Sequence, residues 1–414
     1  MKKLKKITLL VLAATLLFSS TPVSAQVEVE APSETNEFPL VFVHGLGGWG
    51  PDELFGINYW GGLYSILDNL EAQGFTTLQA TVGPVSSNRD RAIELYYYLA
   101  GGTVDYGETH SERHGIERFG RTFPGIFPEW SSEQRIHLIG HSMGGLTIRE
   151  VANLIANGCE DEQAHYVANP EAEISTLLAG ESDRGIHSIT TIATPNNGTS
   201  FAEDQNAFVP FMQRLITYLA AIGGVPNQNI YDFKLDQFGL HRASGESFSS
   251  YVERVFNSSI WETTNVANHD LSVSGVAANS RNLQTLPDIY YFSHTGQSTN
   301  VSSLTGNHRT TVRMNPLFIL PAHFMFNYRD PYSVPAIDDA WAANDGLVNT
   351  ISSFYPFGHP ANPYDGNPVI GTWNYHPVMY GWDHMVFMGI GARTPREVNR
   401  FYLEMAERLW NLPQ

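Results

Sequence analysis

The stretch RIHLIGHSMGGL, residues 135–146, places a serine between two glycines at the end of a short apolar run. Gly140 and Gly144 flank Ser142 in the spacing Gly-x-Ser-x-Gly, and a segment with helical spacing follows. A strand that turns sharply into a helix around such a serine is a nucleophile elbow, where a neighbouring Cβ clashes with the strand or the helix. The stretch therefore predicts a reactive serine, with a purely structural turn as the alternative.

Other apolar runs have the composition of buried parallel strands, which are continuously hydrophobic rather than alternating. They are PLVFVHG (39–45), FTTLQATVG (75–83), IHSITTIATP (186–195) and DIYYFSHTG (288–296). Helical patterns lie between them, such as SSNRDRAIELYYYLAG (86–101) with its serine caps and GLTIREVANLIANG (145–158). Strands that alternate with helices predict an α/β fold with a mostly parallel sheet.

The N-terminus has the three parts of a secretory signal peptide: the cationic MKKLKK, the apolar ITLLVLAATLLF and the small residues VSA. We expect cleavage after Ala25 and a secreted protein with no transmembrane segment in its mature chain, and a retained N-terminal anchor is the alternative. Residues 26–37 are acidic and aperiodic, which predicts a flexible leader, and the folded domain is expected over 38–414.

The formal net charge is −18, and loss of residues 1–25 removes four lysines and no acid, which leaves −22. A surface this acidic argues against binding to nucleic acid and to anionic lipid. Cys159 is the only cysteine, so the chain cannot form an internal disulfide.

A serine nucleophile needs a base and an orienting carboxylate, and after an elbow the usual chain order is Ser, then Asp or Glu, then His. Asp345 in NDGLVNT and His384 in GWDHMVFMG are candidates. The competing residues are Asp338 and Asp339, in a segment typical of a helix start, and His359 and His376, which both precede proline. Spacing alone does not choose among them.

An oxyanion intermediate needs backbone N–H groups from the residue after the nucleophile and from the loop after the first strand. Met143 and, in HGLGGWG, Leu46 supply these amides, although His44-Gly45 could simply end a strand. A further segment, FMQRLITYLAAI (211–222), is apolar on most sides between Pro210 and Gly223-Gly224. Such a helix must be covered, either as a core helix or as a lid over an active site.

Together these residues resemble the large zinc-containing secreted lipases of bacilli and staphylococci, a branch of the α/β-hydrolases. The resemblance extends from about Phe38 to Leu409. It rests on HGLGGWG, NYWGG, GGTVDYG, RFGRTFPG, GHSMGG, TTIATP, YDFKLDQFGL, NDGLVNT and GWDH, in that order.

The resemblance implies an α/β-hydrolase fold with helices on both faces of the sheet, a small zinc-type insert at about 84–130 and a helical lid at about 200–230. It implies a triad of nucleophile, orienting acid and general base, with the amides of Leu46 and Met143 as the oxyanion hole. The triad residues are Ser142, Asp345 and His384.

The resemblance also implies a structural zinc site, but the match is partial. Asp90, His110 and Asp236 match three of four ligands, whereas the fourth position holds Ile116. His114 or Glu117 could replace it, or water could complete the shell; mixed histidine and carboxylate ligation suits zinc. The alternative is that these are solvated surface side chains.

Many relatives also bind calcium just after the catalytic histidine, where this chain has Val386 and Gly391. Neither residue offers a carboxylate, so we expect no calcium there.

The implied function is that of a triacylglycerol lipase, which cleaves fatty-acid esters at an oil–water interface through an acyl-enzyme and needs no organic cofactor. A broader esterase or polyester hydrolase, a serine peptidase and an inactive binding protein of the same fold are the alternatives.

Overall fold

The computed structural model describes residues 35–222, 231–279, 283–304 and 306–414. The predicted signal peptide and most of the predicted leader lie outside the described residues. So do Gly223 and Gly224, which we expected to end the apolar helix.

The β-strands are β1 (Leu40–Val43), β2 (Thr77–Ala80), β3 (Gly102–Asp105), β4 (Phe119–Phe123), β5 (Ile136–His141), β6 (Ile186–Ile192), β7 (Tyr290–His294), β8 (Gly296–Gln297), β9 (Thr299–Val301), β10 (His308–Thr310), β11 (Ala361–Pro363), β12 (Trp373–Tyr375) and β13 (Met379–Tyr380). Every apolar run predicted as a strand contains one. The short strands β11 and β12 were not predicted, because each has only three residues between turn-forming segments.

The α-helices are α1 (Ile66–Glu71), α2 (Asn88–Ala100), α3 (Glu108–His114), α4 (Met143–Asn157), α5 (Glu160–Ala168), α6 (Thr176–Ala179), α7 (Gln205–Ile222), α8 (Phe248–Phe256), α9 (Ala267–Asp270), α10 (Val273–Asn279), α11 (Ile319–Asn327), α12 (Thr350–Phe354) and α13 (Pro395–Trp410). Short 3₁₀ helices cover Leu54–Gly56, Ser200–Glu203, Asp236–Phe238, Ser259–Glu262, Pro316–Phe318, Asp339–Trp341 and Val386–Met388.

The main sheet has seven strands in the order β11-β12-β7-β6-β5-β1-β2. Every neighbouring pair in it is parallel, so the predicted mostly parallel sheet is confirmed. All six residues of β5 and all seven of β6 are buried, which explains why their sequences are continuous rather than alternating.

Helices cover both faces of this sheet. Successive residues of β1 belong to different apolar clusters: Leu40 and Phe42 pack with α1 and α13, and Val41 and Val43 pack with α2 and α4. This alternation follows from the two-residue period of side chains along a strand. The carboxyl ends of the parallel strands therefore lie at one open edge, which is where such sheets place their ligands.

The predicted insert over 84–130 is smaller than expected. The helix α2 packs against α4 as part of the main helical layer, because it carries buried residues such as Ile93 and Leu95 on its inner face. Beyond it, β3 and β4 form a separate antiparallel pair. The residues outside the main layers thus begin near Gly101.

The start of the folded chain is tied to its last helix. Asn36, which we assigned to the leader, is buried and donates from its side-chain amide to the carbonyls of Leu409 (2.8 Å) and Leu412 (3.2 Å). Its own carbonyl oxygen lies 3.0 Å from Nε2 of His137 on β5. The domain therefore begins two residues earlier than we predicted.

Replacing Asn36 with alanine should destabilise the whole domain, because buried carbonyls and an imidazole lose their partner. We expect Asn36→Ala to lower the free energy of unfolding by about 1–3 kcal/mol, measured by denaturant or thermal unfolding. The control is Asn411→Ala, whose exposed amide bonds only to Glu407 of the same helix. An equal effect of the two substitutions would contradict the anchor.

Candidate active site

The turn at Ser142 has the geometry of a nucleophile elbow. Ser142 follows the last residue of β5, and its backbone has φ 55° and ψ −128°. A Cβ on Gly140 would lie 2.5 Å from the backbone of Gly144, and a Cβ on Gly144 would lie 2.3 Å from the carbonyl oxygen of Val43. Only glycine fits at these two positions, which explains the spacing that opened the sequence analysis.

The structure brings the predicted serine, aspartate and histidine together. His384 Nε2 lies 2.8 Å from Ser142 Oγ, and His384 Nδ1 lies 2.8 Å from Asp345 Oδ2. All three side chains are buried. The order Ser, His, carboxylate with two hydrogen bonds is the arrangement that activates a hydroxyl for attack.

The aspartate is fixed by its own loop. Oδ1 of Asp345 accepts the backbone N–H groups of Leu347 (3.0 Å) and Val348 (2.8 Å), which leaves Oδ2 for the histidine. The N–H of His384 also donates to the carbonyl of Asp345 at 3.0 Å. Two bonds therefore connect these two residues, one through side chains and one through the backbone.

The competing candidates lie elsewhere. Asp338 caps the 3₁₀ helix Asp339–Trp341, as its sequence predicted. His359 bonds to the hydroxyl of Thr285, and His376 contacts Arg408. None of them replaces Asp345 or His384 beside Ser142.

The two residues predicted to supply the oxyanion amides lie beside the serine. Met143 is the first residue of α4, so its N–H belongs to the first turn, where intrahelical partners are missing. Leu46 follows Gly45, whose Cα is so close to the elbow that a Cβ there would lie 2.7 Å from Ser142 Cβ. The side chain of Leu46 lines the cavity that holds Ser142.

That cavity has a mainly apolar lining. Phe208, Phe211 and Leu215 of α7 line it together with Ser142 and His384. The opposite face of α7 is exposed and carries Gln213, Arg214, Thr217 and Tyr218. The helix begins at Gln205, five residues before the predicted start, and includes Pro210 within its length.

Three neighbours of the candidate triad escaped the sequence analysis. Tyr59 and His141 hydrogen-bond to each other and to the loops around Ser142. Asp383, next to the histidine, accepts the backbone N–H groups of Asn315, Met385 and Val386. Their stretches NYWGG, GHSMGG and GWDH were noticed only as motifs, because spacing does not reveal contacts between distant loops.

The loop after His384 is held by Asp383 rather than by acids at the two positions considered for calcium. Val386 is buried in the apolar core, and Gly391 has φ 149°. Burial raises the pKa of Asp383 to about 6, despite the three N–H groups that favour its ionised form.

Two of the three predicted zinc ligands meet in the structure. Nε2 of His110 lies 2.8 Å from Oδ1 of Asp90, and both side chains are buried. Oδ2 of Asp90 accepts the side-chain amides of Gln237 (3.2 Å) and Asn265 (2.9 Å). Burial acts to raise the pKa of Asp90, but these hydrogen bonds and the nearby charges lower it overall.

The third predicted ligand does not join them. The carboxylate of Asp236 is paired with the guanidinium of Arg121, which also binds Asp232 at 2.8 Å. Ile116 is buried in an apolar cluster, and His114 lies with its ring centroid 4.7 Å from that of His110. Within the described ranges, no group of three or more His, Cys, Asp or Glu residues is placed to hold a metal ion.

Asp90, His110 and Asp236 therefore do not form one cluster in this structure. The reason is electrostatic: Arg121 neutralises Asp236, and hydrogen-bond donors already occupy both oxygens of Asp90. A structural zinc site uses about four donors, and in this arrangement only Asp90 and His110 face each other, while Asp236 is paired with Arg121.

Similar proteins of known family point to the same type of active site. The family model described as "Lipase-like, C-terminal domain" matches residues 36–413. The chain belongs to this family. The match begins at the residue that anchors the lipase-like domain to its last helix, and together with the staphylococcal relatives it confirms the predicted resemblance.

Among curated relatives, lipase 1 of Staphylococcus aureus (strain MRSA252) is 34% identical over 381 residues, which are 90% of this chain and 54% of the relative. The lipase of Staphylococcus hyicus is 36% identical over 386 residues, 91% of this chain and 58% of the relative. The lipase-like chain thus spans a little over half the length of these relatives.

Solved structures are also similar to the lipase-like chain. EstA from Clostridium botulinum has 41% identity and a TM-score of 0.86, covering 93% of this chain and 90% of its own. Lipase 1 from Pelosinus fermentans has 42% identity and a TM-score of 0.82, covering 92% and 100%. Staphylococcus hyicus lipase has 35% identity and a TM-score of 0.78, covering 92% and 98%.

The ligand geometry predicts that folding of the lipase-like chain does not depend on zinc. An ion that binds only the folded state stabilises it, and its removal would lower the midpoint of thermal unfolding measurably. Without such an ion, we expect a strong chelator to shift that midpoint by less than about 1 °C. Metal analysis of the purified protein is the second measurement. One zinc per chain that disappears in both Asp90→Asn and His110→Ala would contradict this expectation.

Proposed function

We propose that this chain is a serine carboxylester hydrolase whose preferred substrates are fatty-acid esters, and that it acts outside the cell after removal of its signal peptide. The observation that carries the proposal is the contact of His384 with both Ser142 Oγ and Asp345 within an apolar cavity. The family membership and the lipase and esterase names of its relatives support the same activity.

The first half of the reaction forms an acyl-enzyme. Ser142 Oγ attacks the ester carbonyl carbon while its proton passes to Nε2 of His384, which thereby becomes an imidazolium. The negative charge moves to the carbonyl oxygen, where the N–H groups of Leu46 and Met143 stabilise it. The imidazolium then gives its proton to the alkoxide as the carbon–oxygen bond breaks, and the alcohol leaves.

The second half releases the acid. A water molecule loses its proton to His384 Nε2 and attacks the acyl carbon, and collapse of the second oxyanion returns the proton to Ser142 Oγ. Asp345 stays ionised throughout, because it stabilises the imidazolium and fixes its tautomer rather than taking the proton. These steps use only side chains, two backbone amides and water.

A second Ser–His pair in this chain shows what the active pair has in addition. Ser188 Oγ lies 2.7 Å from His137 Nδ1, but the other nitrogen of His137 contacts the amide of Asn36. That pair is buried within two strands, and its histidine has no carboxylate to stabilise a positive charge. Ser188 is therefore a matched control for the nucleophile.

Ser142→Ala should reduce kcat on p-nitrophenyl esters by roughly 10⁴-fold or more, because the nucleophile is removed. Ser188→Ala should stay within about threefold of the parent, since a buried hydroxyl outside the site makes no transition-state contact. A fluorophosphonate should label the parent and Ser188→Ala but leave Ser142→Ala unlabelled.

The substrate range separates the other possible functions. Rates are measured on esters of increasing acyl length, on a polyester film and on casein. Preference for long acyl chains supports the lipase assignment, comparable rates on short esters and polyester indicate a broad esterase, and casein cleavage without ester cleavage indicates a peptidase. An unlabelled, inactive parent would reject the proposal.

We also propose that α7 is a lid. Its apolar face lines the cavity around Ser142, while its polar face is exposed. This asymmetry suits a helix whose apolar face can leave the cavity and contact a lipid substrate instead. In the closed arrangement Phe208, Phe211 and Leu215 occupy space that an acyl chain needs.

Removing two of these contacts should favour opening. The double substitution Phe211→Ala with Leu215→Ala should raise kcat/KM on a soluble short-chain ester several-fold and reduce the jump in rate above the ester's solubility limit, because a smaller apolar area holds the helix closed. Tyr218→Ala, on the exposed face, is the control. If the double variant keeps the parent's full jump in rate, α7 is a core helix and not a lid.

A further inference from the structure

Three loops of the candidate active site are joined by a continuous chain of hydrogen bonds that the reaction steps above do not use. Oη of Tyr59 lies 2.8 Å from the backbone nitrogen of Gly45 and 2.7 Å from Nδ1 of His141. Nε2 of His141 lies 3.0 Å from the backbone carbonyl oxygen of His384. The rings of His141 and His384 have centroids 4.8 Å apart.

The direction of every bond in this chain is determined by its two ends. The Gly45 amide can only donate, so it donates to Tyr59 Oη, and the tyrosine proton is then donated to Nδ1 of His141. The His384 carbonyl can only accept, so Nε2 of His141 carries the ring's proton and donates it there. The chain therefore needs a neutral imidazole at His141 and a neutral phenol at Tyr59.

The surroundings favour these neutral forms. Both side chains are buried, and burial lowers the pKa of His141 well below its ordinary value, with a further contribution from the nearby His384. Burial likewise raises the pKa of Tyr59. Both shifts favour the neutral groups that this set of hydrogen bonds requires.

Each end of the chain is next to an atom that the reaction needs. Gly45 precedes Leu46, whose amide is one of the proposed oxyanion donors, and His141 precedes Ser142. At the other end, His384 carries the proposed base. These hydrogen bonds thus connect the first-strand loop, the elbow and the histidine loop, and they end on backbone groups of Gly45 and His384 rather than on the serine hydroxyl or the catalytic imidazole.

We infer that Tyr59 and His141 are positioning residues that hold the Leu46 amide and the His384 imidazole in register with Ser142. This inference rests on the proposed function, because it assigns the two residues a role in the ester hydrolysis described above. Their effect is on the transition state: a displaced N–H or imidazole weakens stabilisation of the developing charge without changing the apolar contacts that bind the acyl chain.

The test compares Tyr59→Phe with Tyr251→Phe, which removes another buried tyrosine hydroxyl, one bonded to the carbonyl of Leu240 outside the site. Active sites are first counted by complete titration with a fluorophosphonate, and kcat is then calculated per titrated site. Tyr59→Phe should lose roughly 10- to 100-fold in kcat, with KM on a soluble ester within about twofold, because the loss concerns transition-state contacts.

The pH profile supplies a readout that a general loss of structure does not give. Replacing the neutral phenol of Tyr59 with a phenyl ring changes no charge near His384. The pH of half-maximal kcat/KM should therefore be the same in Tyr59→Phe as in the parent. His141→Leu should lose at least as much kcat as Tyr59→Phe, whereas His141→Gln, which keeps one acceptor and one donor, should recover several-fold over the leucine variant. If Tyr59→Phe does not fold, the His141 pair decides the question.

The outcomes separate this inference from the function on which it rests. A parent that is neither labelled nor active rejects the proposed function. If the parent is active, two results for Tyr59→Phe overturn the positioning role alone. One is a kcat per titrated site within twofold of the parent, and the other is a loss of total activity that is fully explained by fewer titratable sites. The role is also overturned if Tyr251→Phe loses as much kcat, or if His141→Gln is no better than His141→Leu.

Discussion

The close approach of two backbones at the elbow is the constraint on which the site depends. The carbonyl oxygen of Val43 lies where a Cβ of residue 144 would be, and the backbone of residue 144 lies where a Cβ of residue 140 would be. Between these contacts Ser142 has a left-handed φ that costs about 1–3 kcal/mol for a residue with a side chain. The buried strands β1, β5 and β6 hold this conformation, since Ser142 N–H also donates to the carbonyl of Ile192.

Once the serine is fixed, the other two members of the triad come from two segments that follow β7 and β12 in the chain and meet beside the elbow. Asp345 and His384 lie in different segments, yet a backbone hydrogen bond connects their loops directly. Interactions of this kind are formed before substrate arrives, so little reorganisation accompanies the reaction. The apolar helix α7 completes the lining of the cavity that holds Ser142 and His384.

Much of the fold could be predicted from sequence because its strands are buried on both faces and read as unbroken apolar runs. The elbow could also be predicted from sequence, because the two glycines that its backbone contacts require lie within five residues of each other. His384 and Asp345 could be selected over His376 and Asp338 only through family resemblance, because spacing along the chain does not encode contacts across about 240 residues. Tyr59 and His141 were missed for the same reason.

The three predicted zinc ligands are not gathered in the structure, and the physical cause is more specific. The resemblance preserved the residue types at three positions, but it could not show that Arg121 pairs with Asp236, or that amide donors from Gln237 and Asn265 surround Asp90. A ligand set is defined by free lone pairs in space, and a sequence shows only which atoms are present. Ile116 was the one visible sign of the difference.

The hydrogen bonds of Asn36 bring the two ends of the folded domain together. Asn36 lies just before β1 and bonds to the carbonyls of Leu409 and Leu412. The two ends of the folded domain are therefore neighbours. Chains with adjacent ends tolerate circular permutation, in which a short linker closes the old ends and new ones open in an exposed loop. The order of elements along the polypeptide is therefore separable from the arrangement that places serine, histidine and aspartate together.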